Sequence, residues 1–502
     1  MHRRAISIIT DLEKSIDTSA ITYGGVHAWP LCRLKLWVHF MAESFASMAG
    51  TDAPEVSNDG PSFQDVGKLD AHVVGNSGLP LIHSDQNASR EAMRTSTETP
   101  DLLFFLRPEE HREAIGDQAY AKILDSLFDR FPQHGRVKIE WAEPTAMGFA
   151  RKNPSLFLHA SLASNIAEAD PPYSVENFEN LNKALSDLSL NAVVTEDTIN
   201  EGMEKIFWFS RLFETVLVRL QPKVIFLSVY YHPLGMGLVL AARRLGIPTI
   251  DVQHGRLGPL HGLYTQMTAA PPKGYETVPD KIWCWGNQTK QDIDVDLNPD
   301  CSKHGAIVGG NPWFDLWKGG GGTLPDESAA QALLDRNTGK KVIIVSLQSL
   351  PHPLPVFVLD AMARAPEDWA WWIRMHPLRR HTIKEVDAHL KKLGVQNFEI
   401  EDTTSMPLFW LLRHSDHHIT SFSSVAIEAL AFGLRTTLFS KAGRDAFLDY
   451  VNDGHAVLAE DADSLLHSIA EALDMPPPEE KKPFIDSTPG LAEKALTKLY
   501  NI

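Results

Sequence analysis

Between Lys223 and Gln253 the chain reads as strand, helix and strand, and that unit limits its possible folds more than any other feature. KVIFLSVYY (223–231) and PTIDVQ (248–253) are apolar runs of strand length, and LGMGLVLAARRLG between them has helical spacing. Gly246 suits a helix C-terminal cap, and Pro248 opens the second strand. Strands joined through a helix by such short links run parallel, and a parallel sheet needs helices over both faces. The same grammar gives strands at DLLFFL (101–106) and VKIEW (137–141). It restarts with KVIIVSL (341–347), AWWIRM (370–375), NFEI (397–400), HHIT (417–420) and RTTLF (435–439). The predicted fold class is α/β, with two doubly wound, Rossmann-like halves whose ligands sit at the carboxyl ends of the strands.

A chain of 502 residues has room for two or three domains. The pattern breaks between Pro312 and Lys341, where four consecutive glycines (319–322) read as a flexible connector. The expected domains are therefore 1–315 and 336–502. Residues 51–98 are rich in Ser, Asp, Asn, Gly, Pro and Thr without a period, and read as a long surface insertion in the first domain. Ahead of it, the stretch from Trp29 reads as an amphipathic helix with Leu31, Leu34 and Val38 on one face.

Charge narrows the partners. Lys plus Arg number 47 against 64 Asp plus Glu, a net charge of −17. A nucleic-acid protein needs a basic face to neutralise phosphates, so no nucleic-acid partner is expected. Three cysteines (Cys32, Cys284, Cys301) are too few for a disulfide framework and lack zinc spacing with His304. No run reaches the roughly 18 apolar residues of a spanning helix, and Asp11 and Glu13 interrupt the N-terminal apolar run. The expectation is a cytoplasmic protein without a signal peptide, with peripheral contact at the inner membrane or an assembly complex.

The candidate chemistry concentrates at strand ends. Trp371-Trp372-Ile373-Arg374-Met375-His376-Pro377 is an apolar strand closing in Arg, His and Pro. Residues 374 and 376 share a face, so a guanidinium and an imidazole emerge together, which suits a phosphate. The competing reading is a capped strand end with two solvated polar residues. After HHIT come Ser421, Phe422, Ser423 and Ser424 and then a helix, a natural cradle for phosphate. Position 427 is Ile, so no capping box forms, and Glu428 is read as a ribose-hydroxyl partner. In the first half, Gln253-His254-Gly255 ends one strand, and RPEEHREAIGDQ follows another. Glu109, Glu110, Asp117 and His254 are the candidates for general base, with the carboxylates of the 109–117 loop preferred and His254 in reserve. Asp292, Asp294 and Asp296 spell D-x-D twice inside QDIDVDLNPD, which is polar and reads as a loop, so no metal site is expected. Gly235-Met236-Gly237 lacks the third glycine of a dinucleotide site.

Taken in order, Arg374 to Pro377 and the Ser423-Ser424 pair resemble the HP and SS motifs of bacterial sialyltransferases. Gln253-His254-Gly255 and V-G-G-N-P-x-x-D at 308–315 are similar to elements of capsule polysaccharide β-Kdo transferases and, more distantly, CDP-glycerol polyol-phosphate transferases. The resemblance covers roughly residues 220–455. It implies a GT-B fold, two Rossmann-like domains facing a cleft, and a metal-independent glycosyltransferase building capsule or lipopolysaccharide. The donor would be a nucleotide sugar, CMP-linked, used as substrate with no other cofactor, and the acceptor a glycan or glycolipid. His376, Arg374, Ser423, Ser424 and Glu428 would hold the donor, with His376 assisting departure of CMP. The alternatives are a CDP-polyol phosphate transferase, a sugar-nucleotide epimerase and a non-catalytic sugar-nucleotide-binding subunit.

Overall fold

The computed structural model describes residues 2–49, 83–84, 99–116, 118–141, 150–158, 173–259, 261–350, 352–478 and 484–500. Apart from residues 83–84, the insertion expected at 51–98 lies outside the described residues. The chain divides into two compact units. One comprises Met1–Ala114, Gln118–Pro312 and Asp486–Ile502; the other comprises Ile115–Asp117 and Trp313–Ile485.

The first unit is built on seven parallel strands: β1 (Leu102–Leu106), β2 (Arg136–Trp141), β3 (Leu156–Leu158), β4 (Val224–Leu227), β5 (Thr249–Val252), β6 (Lys281–Cys284) and β7 (Ala306–Val308). They lie in the order β7-β6-β5-β4-β1-β2-β3, with the short strand His83–Ser84 antiparallel beside β3. Alternate side chains of β1 enter two cores. Leu103 and Phe105 join one face, while Leu102, Phe104 and Leu106 join the other. Burial on both faces explains why LLFFL is apolar throughout.

Helices α1 (His2–Ser15), α2 (Trp29–Ala49), α3 (Glu196–Leu220) and α4 (Pro233–Arg244) contribute to the first of those cores. Along α2 Leu31, Cys32, Leu36 and Phe40 are buried and Leu34 packs against the same core, whereas Val38 is 48% exposed, so the predicted face holds at Leu31 and Leu34 and fails at Val38. Arg33 of α2 pairs with Glu13 of α1 inside the unit and donates to the carbonyls of Gly262 and Thr265. The glycines at the start of α4 serve packing. A Cβ on Gly237 would stand 2.4 Å from that of Phe209 on α3, and one on Gly235 would stand 2.6 Å from the Tyr230 carbonyl oxygen. The segment read as a D-x-D loop begins in a helix and then is loop as read: α5 (Asn287–Asp294) buries Thr289, Asp292 and Ile293 on one side, and residues 295–300 are turns and coil. A short surface helix needs only that narrow face, so its sequence stays polar.

The second unit carries a six-stranded, all-parallel sheet: β8 (Lys341–Ser346), β9 (Trp369–Arg374), β10 (Phe398–Glu399), β11 (His417–Thr420), β12 (Thr436–Leu438) and β13 (Ala456–Leu458). The order is β10-β9-β8-β11-β12-β13, the Rossmann order of three strands out from the centre and three back. Both units are thus doubly wound α/β, as expected. The glycine run has a different role from the one read. Gly320, at φ +79°, follows α6 (Pro312–Lys318), and the amides of Gly320 and Gly321 bond back to the Trp317 and Leu316 carbonyls. That is a Schellman cap. The units divide before the run, at Pro312, and the chain crosses again near Ile485. Residues 486–502, read with the second domain, belong to the first: Ala492, Ala495 and Leu496 of helix Leu491–Tyr500 join the core of Phe104, Phe226 and Trp283. Among the described residues no helix is long and apolar enough to cross a membrane.

Candidate functional site

In the second unit the strand order reverses between β8 and β11, and loops leaving a parallel sheet at such a point diverge to leave a crevice. His376 stands after β9 and Ser423 and Ser424 after β11, on either side of β8. The strands they leave lie two spacings apart, about 10 Å. His376 caps the 3₁₀ turn Pro377–Thr382: its Nδ1 accepts the Leu378 amide at 3.3 Å, and Pro377 fills the first helical position. An imidazole whose Nδ1 accepts carries its neutral-form proton on Nε2. The same device recurs in the first unit, where His232 Nδ1 accepts the Gly235 amide at 3.0 Å and Pro233 opens α4. The two His-Pro pairs are therefore alike as caps.

Arg374 is anchored at the end of β9. Its Nη1 donates to the Thr403 carbonyl at 3.1 Å and to that of Met406, tying β9 to the end of helix Glu401–Ser405. Strand geometry puts it beside His376, and those carbonyls hold one edge of its guanidinium. Ser423 Oγ accepts the Val425 amide at 3.3 Å, while Ser424, at the N-cap of α7 (Val425–Ala431), makes no side-chain capping bond. Capping therefore does not account for the Ser424 hydroxyl. Glu428 lies on the buried side of α7 at 6% exposure. The serine loop is braced from below. Ser421 donates to Ser440 Oγ at 2.9 Å, Ser440 donates to the Ser421 carbonyl at 2.9 Å, and a Cβ on Gly443 would fall 1.8 Å from that oxygen. Under the crevice, His418 sits between the hydroxyls of Ser346 and Thr436, both at 2.9 Å. Burial, reinforced by His417, holds it neutral at about 3.

The first sheet reverses between β1 and β4. Arg107 leaves β1 there, and Glu110 accepts its amide at 3.1 Å. Burial pushes the Glu110 carboxyl up to about 8, against the pull of Arg107. A general base is most effective when its pKa lies near the working pH, and a raised carboxyl suits that predicted role. His111, next in the loop, is an anchor. It meets Glu140 at 2.8 Å inside an enclosed network where Arg151 also binds Glu140 and Lys138 binds Asp125. Burial opposes the charge on Glu140, but the bond from His111 and nearby positive charge hold it down at about 2. His254, after β5, is lowered to about 4 by burial and then by Arg107 and Arg112, which makes it a weak base. Its Nε2 lies 3.5 Å from the Tyr231 hydroxyl. Asp117 lies outside the described residues.

Sequence reasoning missed Arg107, Tyr231 and Asp251 here, and Ser346, Ser440 and Gly443 in the second unit. Tyr231 was read as the end of a strand, whereas β4 stops at Leu227. Among the described residues no cluster of His, Cys, Asp and Glu has the arrangement of a metal site.

The class defined by this fold is a pair of Rossmann-like units, each with polar side chains at its reversal point. No family model and no curated relative matches the chain. Among solved structures it is similar to UDP-GlcNAc 2-epimerase from Neisseria meningitidis, bound to UDP-GlcNAc. The identity is 12%, with 80% of this chain and 100% of that one covered at a TM-score of 0.47. It is similar to a UDP-N-acetylglucosamine 2-epimerase of Listeria monocytogenes, at 13% identity, 80% and 97% coverage and a TM-score of 0.48. The glycotransferase of kitacinnamycin is a third, at 16% identity, 80% and 94% coverage and a TM-score of 0.43.

Proposed function

We propose that the protein is a nucleotide-sugar enzyme, a glycosyltransferase that binds the donor phosphate at the carboxyl edge of the second unit's sheet. The observation that carries this reading is the placement of His376 and the Ser423–Ser424 loop on either side of β8, where the strand order reverses. Negative charge grows on the phosphate as the sugar departs. Fixed donors aimed at that charge, the Nε2 proton of His376 and the serine hydroxyls, lower the barrier because they need no reorganisation. The motif resemblance makes the donor a CMP-linked sugar and the acceptor a capsule or lipopolysaccharide glycan. Glu110 is proposed as the base that takes the acceptor's proton, with Asp117 and His254 the other candidates. Because protein groups supply the phosphate contacts, turnover should survive EDTA.

The test is His376→Ala in the full chain. Nucleotide release from a CMP-linked sugar should fall by ~10²–10³, the size typical of losing one preorganised donor, at unchanged melting temperature. Normal turnover with a lowered melting temperature would make His376 a structural cap only. A preference for UDP or GDP over CMP and CDP would overturn the cytidine assignment.

A further inference from the structure

Just past β4 the backbone adopts a conformation that β-branched residues avoid: Val229 has φ +60°. Strained residues persist only where their surroundings over-determine them, and they gather at functional sites. Two successive amides of this turn meet one side chain. The Val229 amide donates to Asp251 Oδ1 at 3.0 Å, and the next amide, Tyr230, donates to Oδ2 at 3.0 Å. The Tyr264 hydroxyl donates to Oδ2 at 2.8 Å, and the Tyr230 hydroxyl donates to the Leu263 carbonyl at 2.6 Å. These bonds lock the turn after β4 to the loop after β5.

Asp251 is 0% exposed, so it cannot touch a substrate. It does fix its neighbours. Tyr231 is the next residue of the turn, and His254 lies three residues beyond Asp251. Both are half-buried at the ends of adjacent strands, with Oη and Nε2 3.5 Å apart. Only a carboxylate accepts from both amides with separate oxygens. An asparagine has one acceptor oxygen, and its NH₂ would face one of the two N–H groups.

We infer that Asp251 is a positioning residue, which holds Val229 and Tyr230 in the left-handed turn and so sets Tyr231 against His254 at the first sheet's reversal point. The inference rests on the proposed transferase reading for its catalytic consequence, though not for its structural one.

The test compares wild type, Asp251→Asn, Val229→Gly and the double variant, all as full chains. Glycine adopts positive φ without cost, so it should make the carboxylate less necessary. Asp251→Asn should speed hydrogen exchange of the 229 and 230 amides at least ~tenfold. It should also lower nucleotide release from a CMP-linked sugar by ~10²-fold, the scale of a misplaced group, with KM within ~twofold. The double variant should recover most of that loss and exchange more slowly than Asp251→Asn. Should Asp251→Asn misfold, Tyr264→Phe removes one donor to the same carboxylate and should speed exchange at 229–230 while keeping the fold. Unchanged exchange, an intact rate with only a lowered melting temperature, or a double variant no better than the single one would each overturn the inference. If wild type releases nucleotide from no sugar tested, the transferase reading fails. Exchange at 229–230, and its slowing by Val229→Gly, then decides the positioning role alone.

Discussion

Glu110 and Asp251 show how two carboxyls of one small region acquire different roles. Burial raises both, Glu110 to about 8 and Asp251 to about 7. Glu110 retains 14% exposure of its side chain and stands in a loop, where it can meet a substrate; Asp251 is sealed among tyrosines. A general base works deprotonated, so with Glu110 as base kcat/KM rises as pH climbs through about 8. Glu110→Gln should remove that limb and cost ~10²–10⁴ in rate with nucleotide affinity unchanged; a profile unaltered by the substitution would return the role to Asp117 or His254. Glu110, His254, His376 and the serines were legible because each follows an apolar run that can only be a buried strand. Asp251 was not. It sits inside such a run, in Thr-Ile-Asp-Val, and its partners are amides 22 residues upstream, which no local pattern reports.

At the scale of elements, parallel strands buried on both faces, such as β1, β4 and β8, announce themselves as apolar runs, and nine strands were read in all. β3, β6, β7 and β13 went unread, although β4, β5, β11 and β12 are as short. The helix α5 stayed hidden in its polar surface. Bracing of the serine loop by Gly443 belongs to the same class, since only tertiary contact creates the need for glycine. Gly443→Ala would drive a methyl group onto the Ser421 carbonyl. It should destabilise the second unit by about 1–3 kcal/mol and weaken nucleotide binding at least ~tenfold by shifting Ser423 and Ser424. Unchanged affinity would separate the loop from the site.

For the whole molecule, buried histidines set the acid limit. His232, His254, His304, His417 and His418 are held by burial at about 3 to 4. The unfolded chain binds protons on each below its ordinary 6.5 and the folded one does not, so stability is lost as pH falls from about 6.5 towards 4. Glu110 and Asp251 act in the opposite sense, because their raised values favour the folded state below neutrality, but five imidazoles outnumber two carboxyls. Denaturant midpoints should therefore drop steadily from about pH 7 to about pH 4.5; a flat profile would contradict the neutral burial of these rings. The return of residues 486–502 to the first unit is the largest feature the sequence did not disclose. An amphipathic helix carries no sign of which sheet it will cover.

The central claim, donor phosphate held at the carboxyl edge of the second sheet, is tested most directly by calorimetric titration of the full chain with CMP, CDP, UDP and GDP, repeated on Ser423→Ala and His376→Ala. CMP or CDP should bind best, Ser423→Ala should weaken that binding modestly, and His376→Ala should weaken it by ~tenfold or more, about 1.4 kcal/mol, with the melting temperature unchanged. Binding of no nucleotide, or equal affinity in wild type and His376→Ala, would contradict the claim.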